Sequence, residues 1–282
     1  MTLALAQSFV DSKGQYDYAL SIQNYLDWFN HGRFSTTNKA WDLGRSTRVA
    51  LRVWKAQGLD DLALAQQKVN EQLDQEESSG NGSLMRISPI GVALWKDSDR
   101  AKRLAREQSL ITHPALACPD ACEAYTEAIC MAMNGMYPSP QRFLSLIRSL
   151  TDSPTGNTKE DICKAITQFH FTHPALVTRF ARYTSIADWK AKSPTDMHSS
   201  GWVVDTLECA LWGFFKYESW DEGVLAVVNL GGDSDTAGAV YGGLAGVYYG
   251  YDAIPPRWVH GMQKGDFIRD IAGKFAEVVS LE

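Results

Sequence analysis

The sequence predicts an all-α protein, a single compact multi-helix domain over residues 1–282. Three observations carry that prediction. Apolar residues recur at helical spacing along most of the chain. No convincing set of alternating, strand-like segments interrupts them. The breakers between the periodic runs are short, with no linker and no compositional shift to mark a domain boundary. Roughly ten or more helices follow from this pattern.

Ala19, Ile22, Leu26 and Phe29 form one apolar stripe near the start of the chain. Ser46 is expected to cap a helix over Thr47–Gln57, and Gly58 to end it. Further helices are expected over about 97–109, 119–135, 139–150, 158–169, 202–216, 221–229, 235–250 and 265–279, each bounded by Pro, Gly, Ser, Asp or Asn. Thr112-His-Pro-Ala-Leu116 and Thr172-His-Pro-Ala-Leu176 echo one another. Proline near a helix start explains both copies without a repeat architecture.

Composition narrows the function. Hydrophobic residues make up 45% and charged residues 21%, enough for a sizeable core. A net charge of −6 speaks against non-specific nucleic-acid binding and against docking on anionic lipid. No run reaches the roughly 18 apolar residues of a membrane span. No signal peptide is visible, and a cytoplasmic monomer is expected. The five cysteines, at 118, 122, 130, 163 and 209, include no CxxC pair and read as reduced, mostly buried thiols. His113 with Cys118 and Cys122 fits no common zinc spacing.

The most informative stretch is Asn229-Leu-Gly-Gly-Asp-Ser-Asp-Thr-Ala-Gly238. Gly231-Gly232 permits a tight turn with φ > 0. Asp233 and Asp235 then fall at a helix start beside Thr236. One carboxylate suffices for an N-cap. Two with a hydroxyl also suit a hard cation such as Mg²⁺, and both readings stay open on spacing alone. In the following helix Gly238, Gly242, Gly246 and Gly250 recur every four residues. Each helical glycine costs about 1 kcal/mol relative to alanine. Close approach by a neighbouring helix is the expected compensation, making this helix central and rigid.

Glu76-Glu-Ser-Ser-Gly-Asn-Gly-Ser-Leu-Met-Arg86 is the second unusual stretch. Its hydroxyls and backbone N–H groups could cradle phosphate, although the pattern is neither a Walker loop nor a dinucleotide fingerprint. An ordinary loop with a helix cap explains it as well. Trp202, in Ser200-Gly-Trp-Val-Val-Asp-Thr-Leu207, could stack on a base or sit in the core. His113 and His173 could be ligand contacts or ordinary buried residues at helix starts.

Together, Trp41-Asp-Leu-Gly-Arg-Ser-Thr47, Gly80-Asn-Gly-Ser-Leu-Met-Arg-Ile-Ser-Pro89, Thr112-His113, Gly201–Leu207, Val228–Thr236 and Ile254-Pro-Pro-Arg-Trp258 resemble, in this order, the ADP-ribosylglycohydrolase family. The resemblance implies an all-α fold with two Mg²⁺ ions in a cleft. It also implies hydrolysis of the bond between ADP-ribose and an acceptor, on an ADP-ribosylated protein or an ADP-ribose-containing small molecule. By resemblance, Asp233 and Asp235 are catalytic, and with Thr236 they are metal ligands. Ser78, Ser79, Gly80, Asn81 and Gly82 form the diphosphate and ribose cradle. His113 contacts ribose, and Trp202 lies on the adenosine side.

One departure stands out. The family pattern usually has an N-terminal helix carrying a conspicuous acidic residue, then a Thr-Asp-Asp-Thr segment leading into a helix like Met1–Val10, and by resemblance this chain is expected to start after those acids. Octahedral Mg²⁺ at about 2.0–2.1 Å needs several anionic oxygens. Asp233 and Asp235 supply two charges, so at most one metal is expected. A catalytically impaired ADP-ribose binder, or a purely structural member, is the alternative.

Overall fold

The computed structural model describes residues 1–136 and 158–280. These residues form fifteen α-helices with four short 3₁₀ turns. The helices are α1 (Thr2–Asp11), α2 (Tyr18–His31), α3 (Arg45–Gln57), α4 (Leu62–Leu73) and α5 (Ser88–Ala93). Next come α6 (Ser98–Leu110), α7 (Ala117–Met136), α8 (Lys159–Thr167), α9 (Pro174–Phe180) and α10 (Ile186–Ala191). Last are α11 (Val203–Lys216), α12 (Trp220–Val228), α13 (Ser234–Tyr249), α14 (Pro256–Gly261) and α15 (Gly265–Val279). Among the described residues the sole β pairing is an isolated antiparallel bridge between Gly80 and Trp202. No described helix is long and apolar enough to cross a membrane. The helix expected at 139–150 lies outside the described residues.

Short polar side chains start many of these helices, as their residue types dictate. Asp17 accepts from Leu20 N at 2.8 Å, Asp61 from Leu64 N at 2.9 Å and Asp97 from Arg100 N at 3.0 Å. The expected cap at Ser46 is corrected. Helix α3 begins at Arg45 behind Gly44, and the buried Ser46 hydroxyl instead donates to the Ser78 carbonyl at 3.3 Å. Helix α4 went unread because Leu62, Ala65, Val69 and Leu73 make a weaker stripe among glutamines.

The centre is built by α7, α11 and α13, which pack on one another. Every residue of α11 from Val203 to Phe215 is buried. All five cysteines are free and buried, as their types suggest. The glycine repeat of α13 does not behave as expected. A Cβ on Gly242 or Gly246 would meet nothing within 4 Å, and one on Gly238 would lie 3.1 Å from Val228 Cγ1. The closest approach falls one residue away. A Cβ on Gly243 would overlap the Tyr125 hydroxyl, which donates to the Val240 carbonyl at 2.6 Å. Gly243→Ala should therefore overpack the α7–α13 contact at about 1–3 kcal/mol. Its melting temperature should fall by several degrees, and Tyr125→Phe in the same chain should recover part of that loss. Equal melting of Gly243→Ala and wild type would show that the contact is not tight.

Candidate active site

The stretch before Gly80 is shaped by local hydrogen bonds. Glu76–Ser78 make a single 3₁₀ turn. Ser79, at φ −74° and ψ 49°, then makes an inverse γ-turn with Gly80 N–H donating to Ser78 O at 2.8 Å. The chain next runs alongside residues 201–203. Asn81 N donates to Gly201 O at 3.1 Å and Val203 N to Ser79 O at 3.0 Å. Arg86, fully buried, donates to the carbonyls of Gly82 at 3.0 Å and Gln108 at 3.3 Å, with its guanidinium 4.8 Å from the Tyr25 ring centre. The glycine loop is thus fastened from outside and from beneath.

The acidic turn is equally constrained. Gly231 and Gly232 adopt φ of 73° and 59°, and a side chain on Gly232 would overlap the Ser199 carbonyl. Asp233 occupies the N-cap position of α13 but its side chain makes no capping bond. Its Oδ2 instead accepts from Asn81 Nδ2 at 2.6 Å, and the same amide donates to Thr206 Oγ1 at 2.8 Å. Asn81 therefore joins the glycine loop, α11 and the acidic turn. The simple capping reading fails for Asp233. The Asp235 carboxyl is pushed above its usual range, first by partial desolvation and then by the neighbouring Asp233 carboxyl. Thr236 is buried, and its hydroxyl donates to Met85 Sδ at 3.9 Å.

These segments enclose one cavity of about 530 Å³. Gly80, Asn81, Gly82, His113, Asp233, Asp235 and Thr236 all line it. The carboxylates and the glycine loop face a shared hollow, although Asn81 and Asp233 lie 152 residues apart in sequence. Ser78, Ser79 and Trp202 are not among its lining residues. Ser78 and Ser79 are buried by the pairing with 201–203. The Trp202 indole lies under the Arg179 guanidinium, 5.6 Å from its carbon. The loop's N–H groups are also less free than the sequence suggested, since those of Gly80 and Asn81 are committed within the protein. Sequence reading missed Trp28, Phe34, Trp41, Asp42, Arg45 and Met85 on the wall. The stretch Trp41–Thr47 carried the resemblance without suggesting a role.

His113 fills the space that the glycines leave. A Cβ on Gly82 would sit 2.7 Å from His113 Cε1 and 2.9 Å from Thr47 Oγ1. Its Nδ1 pairs with Thr112 Oγ1 at 2.7 Å. Burial, and secondarily the Arg86 charge, lower its pKa from the usual 6.5 to about 3. The unfolded chain takes up this proton below about pH 6.5 and the folded chain does not. The stability linked to His113 is therefore complete above about pH 6.5 and falls as pH drops towards 3. His113→Gln should show a smaller loss of urea resistance between pH 7 and pH 5 than wild type. An equal loss in both would remove His113 from this account.

The family model described as ADP-ribosylglycohydrolase matches residues 1–282. The chain belongs to the ADP-ribosylglycohydrolase family. Its similarity to ADP-ribosylarginine hydrolase Tri1 of Pseudomonas putida (strain GB-1) is 28% identity, covering 96% of this chain and 63% of the relative. The corresponding protein of Serratia proteamaculans (strain 568) is 27% identical, covering 96% and 64%. The chain thus spans under two thirds of the length of these two relatives. ADP-ribosyl-[dinitrogen reductase] glycohydrolase of Rhodospirillum rubrum is 24% identical, with 92% and 70% covered. A solved structure titled ADP-ribosylglycohydrolase-related protein complex superposes with a TM-score of 0.68 at 27% identity, covering 99% of this chain and 79% of that one. The all-α architecture of this ADP-ribosylglycohydrolase family member is therefore shared by a solved relative.

Proposed function

We propose that this chain hydrolyses the glycosidic bond between ADP-ribose and an acceptor, on a modified protein side chain or an ADP-ribose-containing small molecule. The observation that carries this reading is the convergence of Asp233 and Asp235 with the Gly80–Gly82 loop on one hollow. The names of the relatives support it.

The residues fit one hard cation. Two neighbouring carboxyls with a hydroxyl next in sequence form an all-oxygen donor set, and the repulsion between their charges is what a divalent ion relieves. Asp233, Asp235 and Thr236 would hold Mg²⁺, with water or substrate completing the shell. Bound there, the ion would supply Lewis-acid stabilisation of charge at the reacting sugar. Asn81 orients Asp233 through its amide. His113, its Nδ1 paired with Thr112 Oγ1, turns Nε2 toward Gly80 and Gly82, where it would meet a ribose hydroxyl. Gly80 and Gly82 let the His113 ring lie against the loop, and the fixed wall holds the bond in place.

A second reading, an impaired ADP-ribose binder, is favoured by the sparse donor set. Among the described residues no three His, Cys, Asp or Glu side chains gather to hold a metal. Release of ADP-ribose from arginine-linked and serine-linked peptides, with and without Mg²⁺, tests both. Magnesium-dependent release supports the hydrolase. Calorimetric binding of ADP-ribose without release would favour the binder, and neither binding nor release would overturn both.

A further inference from the structure

The loop from Gly32 to Gly44 forms a further part of the cavity wall, and its construction is unusual. Gly32, Phe34, Asn38 and Asp42 adopt φ of 66°, 65°, 59° and 48°. Asn and Asp tolerate left-handed backbone, but a bulky residue such as Phe34 keeps it only where the surroundings enforce it. Here they do. Lys264 Nζ donates to the Ser35 carbonyl at 3.0 Å and to the Asn38 side chain, and Arg48 donates to the Leu43 carbonyl at 2.9 Å. A Cβ on Gly32 would overlap the Asn38 carbonyl. The product of this fastening is Trp41, 55% exposed yet on the cavity wall.

Leaving a large aromatic in water forfeits about 1.5–3 kcal/mol of burial, a loss that a stacking partner would recover. The surroundings indicate which partner. Asp42 and Glu77 also line the cavity, and neither carboxylate makes a hydrogen bond or ion pair among the described residues. An uncharged nucleobase could use the indole face and donate an exocyclic amine to one acid, but it would leave both negative charges uncompensated. A flat cation uses both, through cation–π attraction and charge-assisted hydrogen bonds. Arg45, also on the wall, suits an anionic part of the ligand instead.

We propose that Trp41 is the acceptor-side specificity determinant of the cavity, stacking on the guanidinium of an arginine-linked substrate whose charge Asp42 and Glu77 meet. This rests on the hydrolase reading above. The test uses the full chain with Trp41→Ala and Trp41→Phe. Three quantities are read: kcat and KM on arginine-linked and on serine-linked ADP-ribosyl peptides, and Kd for ADP-ribose by calorimetry.

Trp41→Ala should lower kcat/KM on the arginine-linked peptide by about ten-fold, chiefly through KM. The serine-linked peptide and the ADP-ribose Kd should move less than about two-fold, and Trp41→Phe should retain most of the arginine preference. A matching loss of ADP-ribose affinity would overturn the proposal in favour of a nucleotide contact. No change on any ligand would overturn it outright while leaving the hydrolase reading intact. A wild-type chain that neither binds ADP-ribose nor releases it would remove both, and that failure is visible before any variant is made.

Discussion

Asp235→Ala should reduce the release of ADP-ribose from a modified peptide by at least about 10²–10³-fold, while the variant folds and melts much as wild type does. The expectation follows from where the residue sits. Asp235 lies exposed in the first turn of α13, and the proposed cation needs its charge. Removing it deprives the donor set of one of two carboxylates and leaves no buried group orphaned. Asp233 differs. It accepts the Asn81 amide, so Asp233→Ala should cost both activity and some stability. Mg²⁺ titration of the release rate checks the assignment. Release by Asp235→Ala at the wild-type rate and the wild-type Mg²⁺ midpoint would take Asp235 out of the site.

Gly82→Ala should weaken ADP-ribose binding by about 10²-fold, whereas Gly80→Ala should change it only a few-fold. The two glycines look alike in sequence and differ in what lies over them. A methyl on Gly82 would meet His113 Nε2 at 2.9 Å, and the ring is buried and tied to Thr112. The ring has little room to retreat, so the loop must shift. That shift pulls on the Gly82 carbonyl held by Arg86 and on the adjoining Asn81. A methyl on Gly80 would rest 3.7 Å from the same ring, ordinary contact. Calorimetry on both variants measures the contrast, and equal losses at the two positions would refute the geometry.

Much of the fold is local in origin and was therefore readable. Helix α15 and the starts of α6 and α8 follow from apolar spacing and polar caps within a few residues. The acids were readable because Gly231-Gly232 makes a turn that few other residues can make. What escaped is what long-range contacts decide. Nothing near Gly243 announces that Tyr125 will reach it, so the glycine repeat drew attention to the wrong face. Nothing near Ser79 reveals that the stretch will pair with residues 201–203 and that its hydroxyl will be buried. The Gly32–Gly44 wall was illegible for a related reason. Its left-handed residues include Phe34, against local preference, and they are held by Lys264 from the far end of the chain.

The side-chain amide of Asn81 carries one further implication. Because a single planar group is shared between the glycine bend, the Thr206 hydroxyl and the first carboxylate of α13, neither half of the hollow can relax without disturbing the other. On the proposed function, recognition of the nucleotide and retention of a cation would then be thermodynamically linked. Whichever arrived first would pre-arrange the seat of the second, and their separate affinities would understate the affinity of the pair.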